Sequence, residues 1–210
     1  MKLYIYEHCP FCSRVQYVAK SLGIKLETVV LAYDDTQTPN TLIGKKMVPI
    51  LVKDDEQVMV ESDAIIAYLI ELAGSDEVRE VSQQALDWQS RSFNSLLRIG
   101  YPRWYSLDLE EFSSEKARQA WLDRKQTDTV NFTELIEKPE EAVIDSNAFL
   151  QETEAQLTFK AGYAQLSLVD QAIYFSLLRG YCCEPSIQWP VQLQTWLNKI
   201  SKDTSIPLLK

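Results

Sequence analysis

Four residues, Cys9-Pro10-Phe11-Cys12, stand directly after the apolar run Leu3 to Tyr6 and directly before a helix-patterned stretch, so the chain turns from strand to helix at a pair of thiols. Pro10 suits the first helical position, because its fixed φ fits the turn and its missing N–H would have had no partner there. Cys9 is then the N-cap. A helix start offers unpaired N–H groups and the positive end of the macrodipole, and both favour a thiolate over a thiol. A cysteine in such a place titrates at roughly 3.5 to 7.5, against about 8.5 for a free one. Cys12 follows one turn later on the same helix face, where its sulfur can reach that of Cys9.

The same spacing supplies half of a zinc site, and the chain has four cysteines. The other half is wrong, because Cys182 and Cys183 are adjacent and His8 is the one histidine available to substitute. No metal site is expected. Cys182 and Cys183 read instead as small buried hydrophobes on a C-terminal helix. His8 precedes the nucleophile and, if cationic, would lower its pKa; the alternative is a turn-facing imidazole with no role.

Net charge is −9, and neither part of the chain is basic: the first 75 residues carry 7 basic and 10 acidic side chains, the remainder 14 and 20. Without a Lys/Arg stripe, binding to nucleic acid or an anionic membrane lacks its electrostatic footprint. The apolar runs fall far short of a bilayer span, and Glu7, His8 and Cys9 arrive where a signal peptide would need its apolar core. A cytoplasmic protein is expected. In that reducing compartment a C-x-x-C pair is transiently oxidised rather than a structural staple.

The first 74 residues alternate between strand and helix patterns. Leu3 to Tyr6 is a strand, and Val15, Val18, Ala19 and Leu22 form the stripe of a helix that ends at Gly23. Leu26 to Leu31 is a second strand, and Thr41 to Lys46 a weakly patterned, poor helix. Pro49 to Val52 and Val58 to Glu61 are strands about a turn at Asp54 and Asp55, and Ile65, Tyr68, Leu69 and Leu72 face one side of a helix stopped by Gly74. Beyond residue 75 strand signals vanish, and all five tryptophans lie on helix-patterned segments at about 78–105, 114–137, 140–156, 167–179 and 189–202. Pro102 should kink or end the first of these. The tryptophans, including Trp88, Trp104 and Trp196, read as core. The expected organisation is residues 1–74 as an α+β domain of order βαβαββα, a polar linker at 75–80, and an all-helical domain at 81–210.

That order resembles a thioredoxin-like domain, and followed by an all-helical domain it resembles the glutathione transferase fold. Three local signals match: Val48-Pro49 opening the third strand, Glu61-Ser62 opening the last helix of the first domain, and Ser167-Leu168-Val169-Asp170, a capping box with Asp in place of Glu. With the two thiols added, the chain resembles the glutaredoxin 2 family, bacterial glutaredoxins built on a transferase scaffold. The likeness runs from Met1-Lys2-Leu3-Tyr4-Ile5-Tyr6 through Lys46-Met47-Val48-Pro49-Ile50-Leu51 to Ile187-Gln188-Trp189-Pro190. Phe11 departs from the tyrosine common in that motif and removes a hydroxyl near the disulfide.

The resemblance implies electron transfer from glutathione, as co-substrate and with no tightly bound cofactor, to disulfide-bonded or glutathionylated proteins, in a monomer. Cys9 is the expected nucleophile, since a thiolate at ambient pH combines availability with reactivity, and Cys12, inside the helix, is the expected resolving thiol of a redox-active disulfide. Pro49 cannot donate a backbone hydrogen bond and leaves Val48 free to pair with a peptide-like ligand. The resemblance implies a cis bond there, with Val48 on the cysteinyl part of glutathione. Ser62, as N-cap of its helix, can hold a carboxylate, Glu61 can receive the γ-glutamyl ammonium, and Phe11 packs on the ligand or on Cys12. Ser167 and Asp170 are assigned to stability, a lost N-cap costing typically ~1 kcal/mol. Two rival readings remain: an omega-like cysteine glutathione transferase, which has no use for a resolver, and a non-catalytic transferase-fold regulatory module.

Overall fold

The first strand, β1 (Lys2–Ile5), alternates in burial so that Leu3 and Ile5 turn inward, as period-2 side chains on a half-covered sheet must. The computed structural model describes all 210 residues. β1 pairs in parallel with β2 (Glu27–Val30) and antiparallel with β3 (Ile50–Val52), and β3 pairs antiparallel with β4 (Val58–Val60), giving the order β2-β1-β3-β4. Between β1 and β2 runs α1 (Pro10–Ser21), which buries Val15, Val18 and Ala19. It ends where Gly23 takes a φ of +70° and the Ile24 N–H bonds back to the Ala19 carbonyl at 2.8 Å.

The second helix, α2 (Gln37–Ile43), begins earlier than the weak pattern over Thr41–Lys46 implies. Asp35 starts it by accepting from the Thr38 N–H at 3.0 Å, and Pro39, which reads as a loop residue, falls in the first turn where its missing N–H costs nothing. The last helix of this half, α3 (Ser62–Leu72), carries a correction: its N-cap is Glu61, at a φ of +68°, and Ser62 is its first helical residue rather than the cap.

In the second half α4 (Gln83–Ile99) is capped by Ser82, whose hydroxyl accepts from the Ala85 N–H at 3.1 Å. The chain breaks at Gly100 and resumes as α5 (Tyr101–Trp104), with Pro102 in its first turn. A Cβ on Gly100 would come within 2.4 Å of the Trp104 ring and one on Gly180 within 2.8 Å, so the indole is wedged between two glycines and donates to the Gly180 carbonyl at 3.1 Å. The single helix expected over 114–137 is two, α6 (Glu115–Lys125) and α7 (Phe132–Glu137). Thr127 and Asn131 interrupt it by turning their side-chain oxygens onto the N–H groups of Val130 and Glu134, the competition that disfavours such residues within helices.

After α8 (Glu140–Gln156) the expectation of no further strands fails. β5 (Phe159–Lys160) and β6 (Tyr163–Ala164) form a hairpin through Ala161 and Gly162, at φ +52° and +81°, the two positive values a tight hairpin turn needs. Two-residue strands are too short to show a period. α9 (Leu168–Leu178) follows, then a 3-10 turn at Arg179–Cys183, then α10 (Val191–Thr204). Cys182 and Cys183 therefore lie in that turn, not on a helix. Every residue of α9 except Gln171 is buried, as befits a helix enclosed on all sides. It packs most extensively against α1, so one continuous core runs from Leu3, Val18 and Leu69 into Ile173, Leu177 and Trp196.

Ser167 caps α9 by accepting from the Asp170 N–H at 3.2 Å. The reciprocal half of the capping box is replaced: the Asp170 carboxylate reaches the Ser82 N–H at 3.0 Å and so ties the start of α9 to the start of α4.

Candidate active site

Cys9 is the N-cap of α1 in an extended backbone conformation and Pro10 its first residue, as the local sequence requires. Both cysteines are free thiols. Cys9 retains 9 % exposure and Cys12 none, so only Cys9 can meet a substrate. The neighbouring Cys12 thiol, with the N–H groups of Cys12 and Phe11 and the Arg14 guanidinium, holds Cys9 below the ordinary thiol value against its own burial. The sequence argument credited the helix start alone; the second thiol is the larger cause. Burial pushes Cys12 well above the ordinary value, and Cys9 and the Glu111 carboxylate add to it. The two thiols are therefore unequal: Cys9 gives up its proton more readily than an ordinary thiol and Cys12 less readily.

Cys9 lines the first of two adjoining cavities. The first, of about 320 Å³, is walled by the aromatic rings of Phe93, Tyr101, Trp104 and Trp121 and edged by Lys46, Arg124 and Lys125, with no acidic residue in its lining. In a chain of net charge −9 that concentration of cations is local and specific. Lys125 lies over the Tyr101 and Trp121 rings, and Lys46 bonds the Tyr33 carbonyl while lying over the Tyr33 ring. The second cavity, of about 300 Å³, is lined by Phe11, Met47, Val48, Pro49, Glu61, Ser62 and Asp63. The Val48–Pro49 bond is cis. Phe11, Met47 and Val48 belong to both cavities and form the partition between them.

The structure thus brings Cys9, Phe11, Val48, Pro49, Glu61 and Ser62 together, with Cys12 beneath, and leaves Ser167 and Asp170 outside at the start of α9. Phe11 stacks on Phe93 at 5.7 Å, and the Arg14 guanidinium lies 4.7 Å from the Phe11 ring centre on its way to Gln89 and Asp63. The aromatic partner of Phe11 is Phe93, a ring of α4.

His8 is not a turn-facing bystander. It is buried among Tyr6, Phe112 and Trp121, with ring centres 5.6, 5.2 and 4.8 Å away. Burial lowers its pKa, so the ring is neutral at pH 7 and cannot assist Cys9 as a cation. Its Nδ1–H donates to Glu111 Oε1 at 2.7 Å. Sequence reasoning missed Glu111 and Arg179 as well as the cations on α6, and no local pattern could have found them: Glu111 lies 103 residues from the turn it touches. No group of three or more His, Cys, Asp or Glu side chains is arranged to hold a metal ion, and no helix is long and apolar enough to cross a membrane.

Residues 3–77 match the family model for the N-terminal domain of glutathione S-transferase, and residues 84–210 match that for the C-terminal domain of glutaredoxin 2. The chain is 31% identical over 211 residues to glutaredoxin 2 of Escherichia coli K12, covering all of this chain and 98% of that one. The crystal structure of glutaredoxin 2 from Salmonella typhimurium in complex with glutathione superposes with a TM-score of 0.91 at 29% identity, over 99% of this chain and 96% of that one. A theta-class glutathione S-transferase from Xanthomonas axonopodis pv. citri, with glutathione bound, shares the fold at a TM-score of 0.58 and 16% identity, over 100% and 97%. A dithiol helix start on a glutathione transferase fold, closed by a C-terminal half of the glutaredoxin 2 type, leaves one assignment: the chain belongs to the glutaredoxin 2 family.

Proposed function

We propose that this protein is a glutathione-dependent thiol–disulfide oxidoreductase that reduces protein–glutathione mixed disulfides and protein disulfides. One observation carries the reading: a thiol held below its ordinary pKa lines a cavity that adjoins a second, with another thiol, held above its ordinary pKa, sealed beneath it. A transferase that works through one cysteine has no use for the second.

The Cys9 thiolate attacks the glutathione sulfur of a mixed disulfide; a Cys9–glutathione disulfide forms, and the protein thiolate leaves. A second glutathione thiolate then attacks that glutathione sulfur, returns the electron pair to Cys9 and departs as glutathione disulfide. In the dithiol route Cys12 gives up its proton and attacks Cys9, expelling the bound thiolate and forming an internal disulfide that two glutathiones later reduce. The helix start favours Cys9 as leaving group as well as attacker, since lower thiol pKa speeds departure.

Glutathione fits the site by polarity. Its ammonium end finds Glu61 and Asp63 in the second cavity, its cysteinyl peptide pairs with Val48 beside Pro49, and the free N–H groups at the start of α3 with Ser62 hold the γ-glutamyl carboxylate. Its glycyl carboxylate points toward Lys46 and the cations of α6, with Phe11 between. The α+β part, residues 1–74, does the redox and binding work, residues 75–80 link, and residues 81–210 supply the outer wall. One copy holds both thiols, so a monomer suffices, and the need for reduced glutathione places the protein in the cytoplasm.

Turnover with glutathione and a glutathionylated peptide tests the reading. Cys9→Ser should abolish it, whereas Cys12→Ser should leave mixed-disulfide reduction largely intact; activity retained in Cys9→Ser sinks the assignment.

A further inference from the structure

The peptide unit between Glu7 and His8, just before Cys9, is gripped at both ends by buried side chains of opposite charge from the second half of the chain. Its carbonyl oxygen accepts from Arg179 Nη1 at 2.7 Å, and its N–H donates to Glu111 Oε1 at 2.9 Å. The same Glu111 oxygen takes the His8 Nδ1–H at 2.7 Å. Glu111 is 0 % exposed and Arg179 1 %.

Both grips are themselves anchored. Arg179 Nε donates to the Pro207 carbonyl at 2.9 Å, and the Glu111 carbonyl accepts from the Tyr33 N–H at 2.9 Å. The neighbouring Glu110 N–H donates to Glu7 Oε2 at 2.7 Å, and the Cys9 N–H closes the turn on the Tyr6 carbonyl at 3.2 Å. The segment entering Cys9 is thus oriented by residues 103 and 172 positions away. The arrangement is held against a cost: Glu111 Oε2 is buried without a hydrogen-bond partner, and a carboxylate in that state is expensive. Apolar residues of similar volume would close the same interface without it.

We propose that Glu111 and Arg179 are positioning residues that fix the plane of the Glu7–His8 peptide and thereby aim the Cys9 turn, so that the helical half sets the reactivity of a thiol it does not carry. The proposal rests on Cys9 being the attacking sulfur. Rotation of that one peptide unit would swing the turn and move the sulfur relative to both cavities, and displacements of about 1 Å at a reacting atom cost as much as roughly 10²-fold in rate.

The test separates reach from charge in the full-length protein. Glu111→Asp keeps the charge and shortens the reach; Glu111→Gln keeps the reach and an acceptor oxygen but removes the charge. Glu111→Asp is expected to lower kcat in the glutathione-coupled assay about tenfold or more, with KM for glutathione within about twofold, and Glu111→Gln to retain kcat within about threefold. Should Glu111→Asp not fold, Arg179→Gln removes the opposite grip, with the same expected kcat loss and the same unchanged KM. Wild-type kcat in these variants beside an inactive Cys9→Ser overturns the clamp alone. A larger loss in Glu111→Gln than in Glu111→Asp, or a change confined to KM, also overturns it. Activity surviving in Cys9→Ser removes the nucleophile assignment and the clamp's purpose together.

Discussion

Cys9 with Cys12 and Cys182 with Cys183 are the same chemical pair set in two different backbones. The first pair spans one helical turn at the N-terminus of α1; the second is adjacent in the 3-10 turn that follows the C-terminus of α9. Burial pushes Cys182 and Cys183 up to about 12, and the Cys183 thiol donates to the Gly180 carbonyl at 3.2 Å. At Cys9 the burial is opposed by a thiol and by N–H groups, and the pKa falls. A helix start adds amides that favour a thiolate, and a helix end offers none, so the helix termini reinforce a difference that the neighbouring thiol and burial already make. What sets Cys9 apart is a thiol one turn away together with the amides of a helix start, whereas at Cys182 and Cys183 burial prevails.

The largest effect that tests this contrast is loss of turnover. Cys9→Ser should remove at least about 10³-fold of activity with a glutathionylated peptide, the serine hydroxyl being no nucleophile without an adjacent base. Cys182→Ser and Cys183→Ser should each stay within about twofold, since they touch neither cavity. A strong loss in either would break the comparison. Next in size is the alkylation rate. In the reduced native protein at pH 7, iodoacetamide should modify Cys9 first, and Cys182 and Cys183 about 10²-fold more slowly or only after unfolding, as read by mass spectrometry of peptides.

The pH dependence sharpens the contrast further. Because Cys9 binds its proton less tightly in the folded state than in the unfolded chain, its thiolate contributes stability that is full above the unfolded thiol value, about 8.5, and is lost as pH falls through the depressed folded value. Reduced wild type should therefore gain stability over Cys9→Ser as pH rises through that window, measured by urea unfolding. Cys12→Ala, which leaves no donor at that position, should shift the thiolate absorbance titration of Cys9 upward, because the Cys12 thiol is the first cause of the depression. An unmoved titration would assign the depression to the helix start alone.

The Cys9–Cys12 pair was legible because its determinants are local. Pro10 and the i, i+3 spacing need nothing beyond α1, and Val48-Pro49 and Glu61-Ser62 each mark an element boundary within two residues. Cys182 and Cys183 read as buried residues of a helix but are only half-buried, in a 3-10 turn after α9 that continues its apolar pattern. The outer wall was not legible. Trp104 and Trp121 read as core, which they are at 1 % exposure, yet the same rings face the cavity at Cys9. Glu111 and Arg124 look like ordinary members of acidic and mixed-charge stretches, and only the packing of α5, α6 and the turn at Glu110–Phe112 against His8 and Tyr33, beyond the ends of β1 and β2, brings them near the thiol. A side chain that acts across a hundred residues of chain leaves no spacing to read.

A smaller effect concerns that wall. Arg124→Glu reverses one of three cations edging the first cavity while leaving the sulfurs untouched, so KM for glutathione should rise a few-fold, by about 3 to 10 at low salt, with kcat little changed. The increase should shrink as ionic strength rises, because Arg124 is exposed. A salt-independent change would point to altered packing instead.

The smallest expected change compares the two helix starts directly. Ser167 begins α9 with a hydroxyl that accepts from the Asp170 N–H, whereas Cys9 begins α1 with a sulfur that makes no capping hydrogen bond as a thiol. A capped start is satisfied and chemically quiet; an uncapped one keeps its N–H groups for whatever charge arrives. Ser167→Ala should cost about 1 kcal/mol of stability in urea, the ordinary value for a lost N-cap, and leave kcat, KM and the Cys9 titration where they were. The loss should not reach the 3 to 5 kcal/mol, roughly, of a core truncation, because the Asp170 carboxylate still ties α9 to the Ser82 N–H. If the Cys9 titration moves with Ser167, the core shared by α1 and α9 transmits the state of one helix start to the other, and the two termini are not independent designs.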